Sequence, residues 1–337
     1  FTVLFIGLKR FNGLTDTLQT VLPPAFVEDD RRQALAKIFR AGLVRYLART
    51  SAAEKLSINL GSGVGSTQTT TKADPWKAWV FTLNLGGFTN AEETYNYYNV
   101  NGRFTANRIT EQWKTQISGR ENYSEEKNEI DDTTTALTYR RNFNFGLTQV
   151  RSLGNHFSAG LRADASSSTY ENTLRFVSIM PAVEYNVFPY SESTRRIFKF
   201  EYSIGMVDYR YRDTTIYDRV AETRPQHRLA IWVQQQQPWG QVYSGLRGNQ
   251  YLHDASKYRV NFFGYSEVRI FKGFSVYVDG GYDVIHDQLG LLKRSYTPQE
   301  ILLRQFQRGT TYSYYVSAGL SYTFGSVLNN VVNPRFE

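Results

Sequence analysis

From about residue 77 onward, large apolar and small polar residues alternate. In "AWVFTLNLGG", Trp79, Phe81, Leu83 and Leu85 alternate with Val80, Thr82, Asn84 and Gly86. "NYYNVNGRFTANR" sets Tyr98, Val100, Gly102 and Phe104 against Asn99, Asn101, Arg103 and Thr105. "TYSYYVSAGLSYTF" keeps apolar residues on one face from Tyr312 to Phe324. A period of two over such lengths predicts strands with one apolar face, and ~9–11 residues suffice for a tilted strand to cross a membrane. About twelve such runs are expected, near 77–89, 96–108, 110–123, 134–151, 156–168, 173–188, 196–211, 226–237, 240–252, 256–271, 274–286 and 311–325. Their connections alternate too. "RIT", "RSLGNH", "FPYSEST", "QPWG" and "FKG" are short, whereas "TNAEETY", "SEEKNEIDDTT", "YRDTTIYDRVAETRP" and residues 286–310 are mostly longer and more charged. Short turns at one end and long loops at the other are the habit of outer-membrane barrels. The expected fold class is therefore an all-β transmembrane barrel of about 12 antiparallel strands, residues 76–325.

The first 60 residues follow another period. "TVLFIGL" and "LTDTLQTVL" read as short strands ending at Pro23 and Pro24. In "EDDRRQALAKIFRAGLVRYLART", Leu35, Ile38, Phe39, Leu43, Tyr46 and Leu47 recur at helical spacing, and Glu28, Asp29 and Asp30 complement the start of the helix dipole. Arg31, Arg32, Lys37, Arg40, Arg45 and Arg49 lie mostly on the other side, a solvated face or a contact for lipid headgroups, peptidoglycan or a partner. This is a small α+β unit, residues 1–60, too short to be stable alone. Because the chain starts abruptly in a strand-like run, further residues are expected upstream of Phe1.

Between the two parts lies "LSINLGSGVGSTQTTTKADPW". A phosphate-binding loop needs a lysine before its Ser/Thr and a helix after it. Here no lysine precedes Ser66 or Thr67, and β-branched residues run on to Pro75. Residues 61–75 read as a Gly/Ser/Thr-rich linker. Residues 326–337 are expected as a tail. An even strand count would put both termini, and with them the α+β unit, in the periplasm.

Composition sharpens this picture. Tyr, Phe and Trp number 24, 22 and 5, or 15% of the chain, while the mean hydropathy is −0.45. Many rings in a polar chain suit aromatic girdles around a polar lumen. The absence of cysteine excludes disulfides, thiolate metal sites and cysteine nucleophiles. No run approaches a membrane helix, and no signal peptide is evident. The net charge of +8 is shared equally, with 10 basic against 6 acidic residues in 1–75 and 29 against 25 beyond. Because those bases are spread along strands, nucleic acid is not an expected partner.

"DPWKAWVF" (Asp74–Phe81), "DDRRQALAKIFRAGLVRYLART" and "FGSVLNNVVNPRF" (Phe324–Phe336) resemble a group of Bacteroidota-type outer-membrane barrel proteins. More loosely, the barrel is similar to salt-induced and domain-of-unknown-function outer-membrane families. The resemblance implies an outer-membrane location in a Gram-negative bacterium and this fold, and supplies no reaction. The tail departs from the commonest barrel ending, since about a dozen residues follow Phe324.

Candidate chemistry is sparse. His156, His227, His253 and His286 lie far apart in sequence, so no local metal pair is formed, and neither a cofactor nor a metal is expected. A rim hydrolase would draw on His286 with Asp287 and Asp283, but sequence neighbours on a strand face opposite sides. A lipid-facing His–Ser pair would need His156 and Ser158, with no supporting residue evident. The inward face is richer. Alternation points Arg103, Lys114, Arg120, Arg140, Arg162, Lys199, Arg228, Arg247, Arg259 and Arg269 into the lumen, joined by Asp164, Glu184, Glu201, Glu267, Asp279 and Asp283. They form either a salt-bridge network that fills the barrel or the lining of a narrow, anion-favouring pore.

The connection 286–310 carries a helix signal, with Thr297, Pro298 and Glu300 as the N-cap, N1 and N3 residues of a capping box. A helix of about ten residues is expected, burying Ile301, Leu302, Leu303 and Phe306 together with Leu289, Leu291 and Leu292, over the mouth or on another envelope protein. The leading functional expectation is a non-enzymatic barrel serving as a scaffold or partner subunit, with a solute channel next.

Overall fold

The computed structural model describes residues 2–19, 28–55, 74–131 and 133–325 of the 337. It forms two compact units, Phe1–Pro75 and Trp76–Glu337. The "KLSINL" run past Lys55, most of the expected linker and the 326–337 tail lie outside the described residues.

In the first unit, β1 (Thr2–Ile6) pairs antiparallel with β2 (Thr15–Gln19), and α1 (Glu28–Leu47) packs on one face of the pair. The apolar stripe seats Ile38, which is buried, beside Gly42 over the Phe5 ring. A Cβ on Gly42 would stand 2.1 Å from Phe5 Cζ, so only glycine lets the helix approach this closely. Tyr46 donates its hydroxyl to the Leu14 carbonyl at 2.8 Å, and its ring meets Phe11 edge-on. The other face of the strand pair leaves Leu4, Ile6 and Leu8 exposed, and Leu43 and Leu47 of the helix stripe are exposed as well.

The second unit is a twelve-stranded antiparallel meander. Its strands are β3 (Trp79–Ala91), β4 (Tyr95–Ile109), β5 (Trp113–Asp131), β6 (Thr134–Ser152), β7 (Phe157–Ser168), β8 (Thr173–Asn186), β9 (Arg196–Tyr211), β10 (Ala221–Gln237), β11 (Gly240–Tyr251), β12 (Tyr258–Phe271), β13 (Phe274–Ile285) and β14 (Tyr312–Tyr322). Each strand pairs with its sequence neighbour, which is the order of a membrane barrel. β3 and β14 are the ends of this order, and among the described residues no ladder joins them. The fold class expected from the alternation is the one observed, preceded by the small α+β unit.

Register shows the alternation at work. Trp79, Phe81, Leu83 and Leu85 stand opposite Arg108, Ala106, Phe104 and Gly102, and the next row continues through Thr115, Ile117, Gly119 and Glu121. Outward positions such as Leu83, Val100, Ile179, Val183, Ile270 and Leu320 are exposed, so one face is an apolar band. The fully covered side chains, among them Met180, Val207, Tyr251, Asn186 and Ser203, lie on the opposite, inner face.

Two expected loops turn out to be strand. "TNAEETY" shrinks to a turn because β3 runs on to Ala91, and much of "SEEKNEIDDTT" belongs to the β5–β6 hairpin, whose strands are 19 residues each. Glu125, Lys127 and Glu129 continue the outward row of Tyr123, and cross-strand pairing extends to Glu129–Thr135. The ladder persists where the apolar signal has gone. At ~3.4 Å per residue, this hairpin projects well past the span a bilayer needs.

The ladder between β8 and β9 is interrupted at Met180 and Pro181, where proline supplies no backbone donor. Gly205 of β9 closes on this gap, and a Cβ there would stand 1.9 Å from the Ile179 carbonyl oxygen. Gly205→Val should therefore destabilise the barrel by about 2 kcal/mol. Gly264→Ala, whose nearest neighbour would be the Phe262 ring at 3.4 Å, should be neutral. Urea unfolding of the refolded protein in detergent micelles checks both.

Candidate functional site

The inner face of the meander carries the charged residues singled out by alternation, and the register places them in rows. Thr148, Arg162 and Met180 share one row across β6, β7 and β8. Glu201 faces Glu184 on one side and Ala230 on the other.

Across β7, β8 and β9 the charges are paired. Arg162 donates through Nε and Nη2 to the two carboxylate oxygens of Glu201, each at 2.7 Å. This fork is the strong geometry for a guanidinium and a carboxylate, and the Glu201 side chain is only 8% exposed. Lys199 donates to Glu184 at 2.8 Å, and the Tyr190 hydroxyl donates to the other Glu184 oxygen at 3.1 Å. The Ser158 hydroxyl lies 2.9 Å from that of Tyr190, and His156 Nδ1 meets the Asn186 carbonyl. A cavity of 480 Å³ opens beside these pairs, lined also by Lys114, Gln116 and Trp113.

Toward the end with the long connections, the inner face becomes aromatic. Val207, Tyr211, Tyr251 and Leu289 form a buried cluster, with Phe176 and Tyr209 packed against it. The Tyr209 and Tyr251 hydroxyls are 3.0 Å apart, and Tyr211 donates to Glu222 at 2.6 Å. Glu222 also accepts from Arg224 at 2.9 Å. Sequence reasoning missed Glu222 and Arg224 because β10 begins at Ala221, inside what read as a loop. It missed the tyrosines because an inward ring carries the same period-two signal as an outward one.

The connection 286–311 lies over this end. Ile216 N–H donates to the Leu291 carbonyl and Lys293 N–H to that of Thr214, with a bridge between Thr215 and Leu292. Asn172 donates its side-chain amide to the Gly290 carbonyl, and Gln307 N–H donates to that of Tyr170. The capping box is formed: Thr297 N–H donates to Glu300 Oε2 at 2.9 Å and Glu300 N–H to Thr297 Oγ1 at 3.2 Å. The Thr297 backbone amide, and then Arg294, hold the Glu300 carboxyl below its ordinary 4.5.

The helix that follows, α2 (Pro298–Leu302), is five residues long, shorter than the ten or so expected. It stops because Arg304 takes a positive φ of 46° and Arg140 Nη2 draws in the carbonyls of Leu303 and Arg304, at 3.2 and 2.6 Å. Arg140 thus clamps the helix end to β6, a role different from the lumen ion pairing expected of it. Gln305 adds a bond to Thr138 Oγ1 of the same strand. The apolar patch also divides differently. Leu289 and Leu292 are buried, Leu291 and Leu303 are half-buried, and Phe306 packs against Tyr296 beneath Arg294. Leu302 is 82% exposed and Ile301 borders on exposed, because the short helix turns that side away from the inner face.

The remaining lumen residues have softer partners or none. Arg228 donates to Asn249 at 2.8 Å, Arg247 lies over the Trp232 ring, and Glu267 accepts from Gln241 and Tyr265. Arg259 pairs with Asp287 at 2.9 Å, Asp283 accepts from Asn261, and His286 stacks on Tyr258. Arg103, Lys114, Arg120, Arg269 and Asp279 make no ion pair among the described residues.

No family model and no curated protein matches this chain. Among solved structures it is similar to the NanC porin, at 11% identity and a TM-score of 0.36 over 72% of this chain and 100% of that one. It is also similar to the CymD monoaromatic hydrocarbon channel, at 8% identity and a TM-score of 0.31 over 74% and 87%. The translocator domain of the autotransporter NalP from Neisseria meningitidis matches at 8% identity and a TM-score of 0.23 over 73% and 82%. The reading of the fold rests on the ladders of this chain itself.

Glu201→Gln would leave the Arg162 guanidinium half-matched, and a loss of about 3 kcal/mol is expected. Arg162→Met with Glu201→Leu should cost less than the single change, and urea titration in micelles compares the two. A second expectation concerns pH. Because the folded Glu300 carboxyl sits below 4.5, its contribution to the loop is complete above that value and is lost as pH falls through the folded value below it. Proteolysis of residues 286–311, measured against an unstructured reference substrate at each pH, should therefore quicken as pH falls below 4.5 in the wild type. It should be equally fast on both sides of that value in Glu300→Ala, as a time course with an acid-stable protease would show.

Proposed function

We propose that this chain is an integral outer-membrane barrel without enzymatic activity, acting as a scaffold or partner subunit of an envelope complex, with its lumen shut at one mouth. The observation that carries this reading is the bonding of residues 286–311 across to β6 and to the β7–β8 and β9–β10 connections, held by the Arg140 clamp. The outward apolar band supports lipid as the surrounding medium, with Leu83, Val100, Ile179, Val183, Ile270 and Leu320 exposed along it. The exposed Leu4, Ile6 and Leu8 face of the first unit and the exposed Leu302 support contact with another envelope protein. The likeness to the Bacteroidota-type group, a Gram-negative outer membrane and periplasmic termini belong to the same proposal.

A second reading, a narrow anion-favouring channel, is favoured by the unpaired bases Arg103, Lys114 and Arg120 on β4 and β5. Planar-bilayer recording separates the two. The wild type should show no steady conductance, and Arg140→Ala, which frees the mouth connection, should produce discrete openings. Steady wild-type conductance that falls on charge reversal at Lys114 would overturn the closed-barrel reading in favour of the channel.

A further inference from the structure

The inner faces of β4 and β5 hold an arrangement that the ion-pair network does not use. Arg103 and Arg120 stand directly opposite each other in the β4–β5 ladder. Side chains so placed have Cβ atoms ~4.5–5.5 Å apart, and like charges there destabilise the pair. Across β7 to β9 this chain answers inner-face bases with carboxylates, Arg162 with Glu201 and Lys199 with Glu184. Here the described residues provide none within ion-pair distance. Glu121, beside Arg120 in sequence, points to the outer face and is taken by Arg141 at 2.6 Å.

The row continues on both sides through neutral groups. Asn84 faces Arg103, Asn144 faces Arg120, Ser166 faces Asn144, and Phe176 faces Ser166. Arg103, Arg120, Asn144, Ser166 and Phe176 line one cavity of 410 Å³. A single acid, Asp164, also lines it and accepts from Ser178 at 3.2 Å. Two guanidinium forks against one carboxylate leave the cavity with a net positive charge. Amide and hydroxyl groups flank the forks, and a ring closes one side.

We infer that the Arg103–Arg120 pair is a binding site for a small anion bearing a carboxylate or phosphate and a polar, hydroxylated body. Two planar forks lining one cavity can each match the oxygens of either group, and a bound anion offsets the repulsion between them. The flanking Asn144 and Ser166 suit hydroxyls. This goes beyond both functional readings, since a barrel that never conducts can hold the anion.

The test uses the full chain in detergent micelles at low salt, titrated calorimetrically with inorganic phosphate, glucuronate or glucose. Saturable binding of phosphate, glucuronate or both is expected, with no binding of glucose, and the bound anion should raise the urea midpoint. Binding of only one anion identifies the group recognised. Arg103→Gln with Arg120→Gln should weaken binding at least tenfold, and Arg141→Gln on the outer face should leave it unchanged. Asp164→Asn should tighten binding severalfold by removing the opposing charge. Heat-modifiable migration reports whether each variant is folded; should the double glutamine variant fail to fold, Arg103→Lys with Arg120→Lys keeps the charge, loses the fork and should bind severalfold more weakly. No saturable binding of either anion, or undiminished binding in the folded arginine variants, would overturn the site, whatever the bilayer recordings show.

Discussion

A bilayer core offers no water to a backbone amide, and everything else in the second unit follows from how the chain meets that constraint. The solution is a series of antiparallel ladders linking every neighbour from β3 to β14, through which adjacent strands share their N–H and C=O groups. Once the ladders exist, the pleat sends alternate side chains to opposite faces. One face must then dissolve in hydrocarbon and the other is free to be polar. The exposed Leu83, Ile179 and Leu320 and the covered Glu201, Ser203 and Asn186 are two outcomes of the same geometry.

The polar face is not uniform. Along β7 to β9 charges are paired internally, with Arg162–Glu201 and Lys199–Glu184 closing on themselves and Tyr190 adding a further donor. Near the mouth, packing takes over, and Tyr209, Tyr211 and Tyr251 bury their rings while finding partners for their hydroxyls. On β4 and β5 neither solution is used. Two opposed arginines with no carboxylate at ion-pair distance repel each other, a cost that the paired walls beside them avoid.

The sequence made the strands legible in proportion to how apolar one face is. The run at 196–211 matches β9 residue for residue, because Phe198, Phe200, Tyr202, Ile204 and Met206 mark every second position. β5 was expected to stop near Tyr123 and runs on to Asp131, because beyond the membrane both faces are polar and the period vanishes from composition while the ladder continues. Inward parity was legible for Arg162 and Glu201, but their partnership was not, since it depends on how strands far apart in sequence are staggered. The start of α2 was written locally in Thr297 and Glu300. Its end was set by Arg140, more than 150 residues earlier, and no local pattern carries that information.

The two ends of the strand order have a bearing on how the molecule is made. Lipid admits this sheet only once the free edge of β3 is joined to that of β14, and these strands are the first and last of the second unit. Every other ladder links sequence neighbours and can zip as the chain emerges. The closing seam instead spans nearly the whole unit, so its loop-closure entropy falls due in a single late step. Assembly must therefore hold a nearly complete, open-edged sheet away from other edges until β14 arrives. That is the interval in which a chain of this topology is most exposed to aggregation.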